Sequence, residues 1–276
     1  MIASVPISRK EAFGSAFGRT PHDLYCIQLN RLKDKIAIVT GGAQGIGQAI
    51  AQMFAEESAW VLVVDIDKPA GEQTVAAIQA GGGRAAFRHA DVSDEKAVAE
   101  AVALAAAQGH IDILCNNAAY LGQFHAVLEA TGEEWSRSIQ VALLGTHYMT
   151  RAALPYMIDR KNGSIVNVAS IQAMVGCPES VAYTATKSAL LGYTLSAAYD
   201  YGRENVRVNA ICPGPIQTRI SPKPGSAHYE WQITQTMLGR VGTAREVGAA
   251  AVFLASDEAA YITGAVIPVD GGWTAK

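Results

Sequence analysis

An α/β fold with a doubly wound parallel sheet is what this sequence predicts, on three observations. From Lys35 onward, short β-branched runs alternate with longer Ala-rich stretches at helical spacing. Several of those runs are apolar on both faces, as strands buried under helices on either side must be. The first run also passes directly through a glycine-rich turn into a helix.

The strand candidates are, in order, IAIVT (36–40), WVLVVD (60–65), AAFRHAD (85–91), IDILCNN (111–117), SIVNVAS (164–170), VRVNAIC (206–212) and AVIPVD (265–270). Helices are expected between them near 46–57, 69–80, 94–107, 132–159, 180–202 and 244–255. Thr131 with Glu134 and Thr243 with Glu246 each fit the S/T-x-x-E box that satisfies free amides at a helix start. No linker or composition break divides the chain after the first residues, so one domain over 34–276 is expected, preceded by an N-terminal extension over 1–33. The polar, Pro-containing stretch 219–237 reads as irregular, and its place after a strand end makes it a candidate substrate lid.

The 276 residues hold 22 Lys+Arg against 25 Asp+Glu, a formal net charge of −3, with 50% hydrophobic and 17% charged residues. A protein that tracks phosphate backbones through a broad basic surface is thereby disfavoured, and no nucleic-acid partner is expected. No apolar run approaches the roughly 20 residues of a membrane-spanning helix, so a soluble protein without a membrane partner is expected. Cys26, Cys115, Cys177 and Cys212 stand far apart, without the patterned spacing of a disulfide framework or a zinc site. The first thirty residues lack the continuous apolar segment of an export signal, and a reducing, cytoplasmic setting is the expectation.

Two constellations carry chemistry. The first strand runs into Thr40-Gly41-Gly42-Ala43-Gln44-Gly45-Ile46-Gly47 and then a helix. Glycines let the backbone turn tightly and approach a pyrophosphate, while the helix start offers free N–H groups and a positive dipole end. Asp65 ends the second strand 18 positions after Gly47, about where a carboxylate binds the adenosine ribose hydroxyls. That carboxylate would repel the additional phosphate of NADP, and neither Gln44 nor Ile66 is basic, so NAD is the expected cofactor over NADP. The second constellation is Ser170, at the end of a strand, 13 positions before Tyr183, with Lys187 four residues further on the same helix face.

Together, Thr40–Gly47, Asp65, Asp91-Val92, Asn116-Asn117-Ala118-Ala119, Ser170, Tyr183, Lys187 and Pro213-Gly214-Pro215-Ile216-Gln217-Thr218 resemble the short-chain dehydrogenase/reductase family over about residues 33–276. The resemblance implies a Rossmann fold with a seven-stranded parallel sheet, a nicotinamide cofactor, no metal, and a homotetramer or homodimer. It implies that Asp91 and Val92 contact adenine, that Asn117 and Ala118 contact the adenosine ribose and nearby backbone, and that Ile216 and Thr218 meet the carboxamide end. Gly41, Gln44, Gly45, Ile46, Gly47, Asp65, Pro213 and Gly214 complete the expected cofactor site with Tyr183 and Lys187. A tyrosine hydroxyl ionises near pH 10, so it needs a neighbouring ammonium and the positive nicotinamide to act as a base near neutrality. Lys187 would supply that charge, Ser170 would hold the substrate oxygen, and Tyr183 would move its proton as hydride passes to or from the nicotinamide.

The expected activity is therefore NAD-dependent interconversion of a secondary alcohol (a sugar, polyol or cyclic alcohol) and a ketone. An NADPH-dependent carbonyl reductase is the alternative, and a cofactor-binding, non-catalytic member is a third reading. The third rests on Ala142, which stands where the family carries an Asn that anchors a proton-relay water; Gln140 and His147 fall on other helix faces. Ala119 replaces the usual Gly. The six histidines lack ligand spacing. His228, Tyr229 and Trp231 fall in the lid and are candidates to line the pocket; Met174 and Cys177 are candidates to shape specificity; Trp273 suggests a tail packed on the body or on a neighbouring subunit.

Overall fold

Alternation within each strand builds the architecture. In β1 (Ile36–Thr40) and β2 (Trp60–Asp65), Ala37, Val39, Val61 and Val63 enter one core layer, while Ile36, Ile38, Leu62 and Val64 enter the other. Each strand is thus hydrophobic on both faces and needs a helix layer on each. The computed structural model describes residues 30–122 and 124–276, and most of the expected extension lies outside them. Leu32 is already buried in the first core layer, and Arg31 pairs with Glu57.

Between and after these strands come α1 (Gly45–Glu56), α2 (Lys68–Ala80), β3 (Arg84–His89), α3 (Glu95–Ala106), β4 (Ile113–Asn116), α4 (Gly132–Ser138), α5 (Gly145–Asp159), β5 (Gly163–Val168), α6 (Val181–Tyr201), β6 (Val206–Pro213), β7 (Ile216–Gln217), α7 (Ala227–Gln235), β8 (Gly242–Thr243), α8 (Ala244–Ala255) and β9 (Val266–Val269). The main sheet has seven strands in the order β3-β2-β1-β4-β5-β6-β9, and every pairing in it is parallel. Residues of α1 and α8 fill the first core layer, and residues of α3, α5 and α6 the second, so the sheet is doubly wound as the sequence predicts. The winding reverses between β1 and β4. A crevice opens at such a switch point, at the carboxyl ends of the strands.

Two expectations need correction. The single helix expected over 132–159 is broken by a π-helical turn over Ile139–Leu144. There the chain passes so near the loop after β3 that a Cβ on Gly145 would lie 2.6 Å from Val92 Cγ2. The Thr146 hydroxyl donates back to Ala142 O at 2.7 Å. Such bulges widen one helical turn locally, and they recur at functional sites. The stretch 219–237 is not wholly irregular: Ser226 accepts from Tyr229 N and starts α7, and the short parallel pair β7–β8 flanks the excursion at its base. The Thr243–Glu246 box forms as expected, with the Glu246 carboxylate accepting from Thr243 N at 2.8 Å. Thr131 caps α4 by accepting from Glu134 N, but the Glu134 carboxylate turns to His125 instead of completing its box.

Candidate active site

The glycine turn is shaped by what lies beneath it. Gly41 has a φ of +61°, and a Cβ on Gly47 would stand 2.1 Å from Gly41 O and 2.4 Å from Asn117 Nδ2. No side chain fits there, so the backbone of the turn and of α1 come into direct contact. Asn117 Nδ2 donates to Thr40 O (3.1 Å) and Gly41 O (3.0 Å), while the Thr40 hydroxyl accepts from Asn117 N and Ala118 N. Both amide hydrogens of Asn117 are thereby spent on holding the turn. Gln44 makes no side-chain cap on α1, and the first turn of that helix has no acidic residue. Its free amides and positive dipole end face the cleft, which suits a pyrophosphate.

At the end of β2, Asp65 Oδ2 accepts from Ala43 N at 2.9 Å and Oδ1 from Asp67 N at 3.0 Å, so one carboxylate bridges the turn and the start of α2. Gln44 Nε2 donates to Asp67 Oδ2 at 2.6 Å. Asp91 holds its own loop by accepting from the backbone N–H and hydroxyl of Ser93.

At the other end, Ser170 follows β5 and accepts from Gln172 N. Tyr183 stands in the first turn of α6, with Lys187 one turn on. Lys187 is 2% exposed, and its Nζ donates to Val168 O at 2.7 Å. Burial pushes the Tyr183 phenol up to about 12, against the pull of the Ser170 hydroxyl, and pushes the Lys187 ammonium down to about 8. The Phe124 ring meets Tyr183 edge-on, with centroids 5.6 Å apart and planes at 88°. His125 Nδ1 lies 2.9 Å from Glu134 Oε2 and tethers the segment carrying that phenylalanine to α4.

One cleft of about 640 Å³ connects these parts. Gly41, Gln44, Gly45, Ile46, Asp65, Asp91 and Val92 line it at one end, Asn117 and Ala118 lie along it, and Ser170, Tyr183, Lys187, Pro213, Gly214, Ile216 and Thr218 line the other. Gly47 sits behind the turn. Tyr120, Leu121, Arg137, Val141 and Gln232 also line the cleft, though the sequence reading did not single them out. Arg137 stacks 5.5 Å from the Tyr120 ring centre, and its spacing of four from Val141 was the available signal. His228, Tyr229 and Trp231 are not in the lining; Gln232 is the α7 residue that reaches it. Met174 and Cys177 also lie outside it. Among the described residues no group of three or more His, Cys, Asp or Glu is placed to hold a metal, and no helix is long and apolar enough to cross a membrane.

The family model described as enoyl-(acyl carrier protein) reductase matches residues 41–274. Cyclopentanol dehydrogenase from Comamonas testosteroni is 38% identical over 253 residues, covering 90% of this chain and all of that one. 2-(S)-hydroxypropyl-CoM dehydrogenase 3 from Xanthobacter autotrophicus is 37% identical, covering 89% of this chain and 99% of its own. The crystal structure of levodione reductase superposes with a TM-score of 0.84 at 32% identity, over 88% of this chain and 99% of that one. With relatives of this similarity aligned along nearly their whole length and the same sheet beneath them, the chain belongs to the short-chain dehydrogenase/reductase family of oxidoreductases.

Proposed function

We propose that this chain is an NAD-dependent dehydrogenase that interconverts a secondary alcohol (a sugar, polyol or cyclic alcohol) and its ketone, using 34–276 as one catalytic domain. The observation that carries the reading is a single cleft with an uncapped helix start and a carboxylate at one end and Ser170, Tyr183 and Lys187 at the other. A nicotinamide held in this cleft would supply the hydride acceptor for the substrate C–H bond in alcohol oxidation. The O–H proton goes to Tyr183 Oη, which must therefore be phenolate when the alcohol arrives. Burial favours Tyr183 as phenol, and the Lys187 charge beneath its ring favours the ionised form. Ser170 donates to the substrate oxygen and fixes it beside Tyr183. Phe124 packs edge-on against the Tyr183 ring.

Asp65 supports NAD over NADP, since it lines the cleft beside Ile66 and Asp67 with no Lys or Arg next to them in that lining among the described residues. Ala142 cannot hold water through its side chain, so a proton relay here would use other groups than the side chain at this position. A homotetramer or homodimer is supported by exposed apolar side chains on α5 and α6, among them Tyr156, Leu195 and Tyr199, and by the edge of β9, which pairs with no further strand among the described residues. The described cysteines are free thiols, in keeping with a cytoplasmic setting.

Nicotinamide absorbance tests the reading, with purified protein and a panel of secondary alcohols, polyols and sugars that starts from cyclopentanol, each with NAD⁺ and NADP⁺. Turnover with NAD⁺ on any member supports it. Turnover with NADP⁺ alone supports the NADPH-dependent carbonyl reductase instead, and silence across the panel favours a non-catalytic member.

A further inference from the structure

Helix α7 overhangs the substrate end of the cleft through Gln232, yet it has no buried residue of its own. A short helix whose residues are at best half-buried against the body gains from another source of order. The C-terminal tail supplies it. Trp231 and Trp273 meet edge to face with centroids 5.4 Å apart at 82°, and His228 packs on the same indole at 5.5 Å. Lys276 Nζ donates to Gln235 Oε1 at 3.0 Å, and Leu238 N donates to Gly271 O at 3.0 Å. The tail is itself wound tightly. Asp270 accepts from Gly272 N, Thr274 N and the Thr274 hydroxyl, across two glycines with φ of +64° and +85°.

The same aspartate touches the far wall of the cleft. A Cβ on Gly214 would lie 2.7 Å from Asp270 Cα, and Gly214 N donates to Val269 O. One short segment therefore abuts the Pro213-Gly214 loop on one side and grips the lid on the other. We propose that Trp273 is a positioning residue: the tail latches α7 through the Trp231–Trp273 contact and thereby sets the wall that Gln232 presents to the substrate. The second half of the proposal rests on the oxidoreductase reading; the first does not.

Amide hydrogen exchange of the full chain with NADH bound tests the latch. Trp273→Ala is expected to speed exchange across 229–236 about tenfold, with Trp273→Phe close to the parent because it keeps a ring against Trp231. Trp231→Ala should loosen the same peptide, and the double variant should add little to either single change. NADH affinity should stay within about twofold, while KM for the alcohol turned over in the panel rises about fivefold at nearly constant kcat. Unchanged exchange in Trp273→Ala overturns the latch, and faster exchange with unchanged KM overturns its role in positioning. If the parent chain oxidises no alcohol, the oxidoreductase reading fails while the exchange comparison still decides whether the latch exists.

Discussion

The Lys187 Nζ lies 5.7 Å from the centre of the Tyr183 ring, and its position is pinned by the 2.7 Å hydrogen bond to Val168 O at the end of β5. Helix α6 and the sheet thus fix the two groups relative to each other before any ligand arrives. On the proposed dehydrogenase reading, the phenol oxygen is the group that moves a proton at the substrate oxygen. Tyr183→Phe removes that oxygen and keeps the ring that packs on Phe124. It should lower kcat by about 10²–10⁴-fold, the range of general acid–base contributions. NADH titration by fluorescence should change little. A substantial residual rate would remove Tyr183 from the mechanism.

Burying an ammonium beneath the cleft costs stability, and pH reveals the cost. Lys187 loses its proton at about 8 in the folded chain against 10.5 when unfolded. Between those values the unfolded state binds more protons, so this residue makes stability rise with pH across that window. The penalty is fully present below about pH 8. Compared with Lys187→Met, which carries no such charge, the cofactor-free parent should gain on the order of 3 kcal/mol from pH 8 to 10.5. Urea denaturation of both proteins at a series of pH values measures the difference. Parallel curves would show that the folded lysine titrates near its ordinary value.

On the NAD reading Asp65 would do two jobs, which one substitution separates by ratio. Its carboxylate pins Ala43 and Asp67 by their amides, so Asp65→Ala should weaken both cofactors through a looser turn. Loss of the negative charge, in contrast, favours only the cofactor with the added phosphate. The ratio of kcat/KM for NAD⁺ over NADP⁺ should therefore fall about tenfold or more, the scale of one lost charge-assisted contact and one relieved repulsion. An unchanged ratio would assign the preference to another residue.

What the sequence revealed follows the range of the forces involved. β1, the glycine turn and the four-residue spacing of Tyr183 and Lys187 are local patterns, and each was legible and found in place. The π-helical turn before Gly145 reflects close packing against Val92, a residue distant in the chain, and the apolar pattern of 132–159 carries no sign of it. Helix α7 escaped notice for the opposite reason: its inward face is only half-buried and largely polar, so it offers no hydrophobic stripe to read. Phe124 was invisible as a partner of Tyr183 because its position depends on the His125–Glu134 tether.

Two glycines allow loss of the cofactor turn to be told apart from loss of stability. A Cβ at Gly47 would enter the backbone of the turn, 2.1 Å from Gly41 O, where neither α1 nor the turn can yield without opening the other. A Cβ at Gly71 would fall 2.0 Å from the Phe87 ring, between α2 and β3, and Gly71 takes no part in lining the cleft. Both substitutions overpack, so Gly47→Ala and Gly71→Ala should each cost about 1–3 kcal/mol in denaturant unfolding. Only Gly47→Ala should also weaken NADH binding, by about tenfold or more, because it would displace the amides that the proposed site sets against a pyrophosphate. Equal NADH affinity in the two variants would mean that the turn tolerates the displacement, and that the dinucleotide is held chiefly by other parts of the cleft.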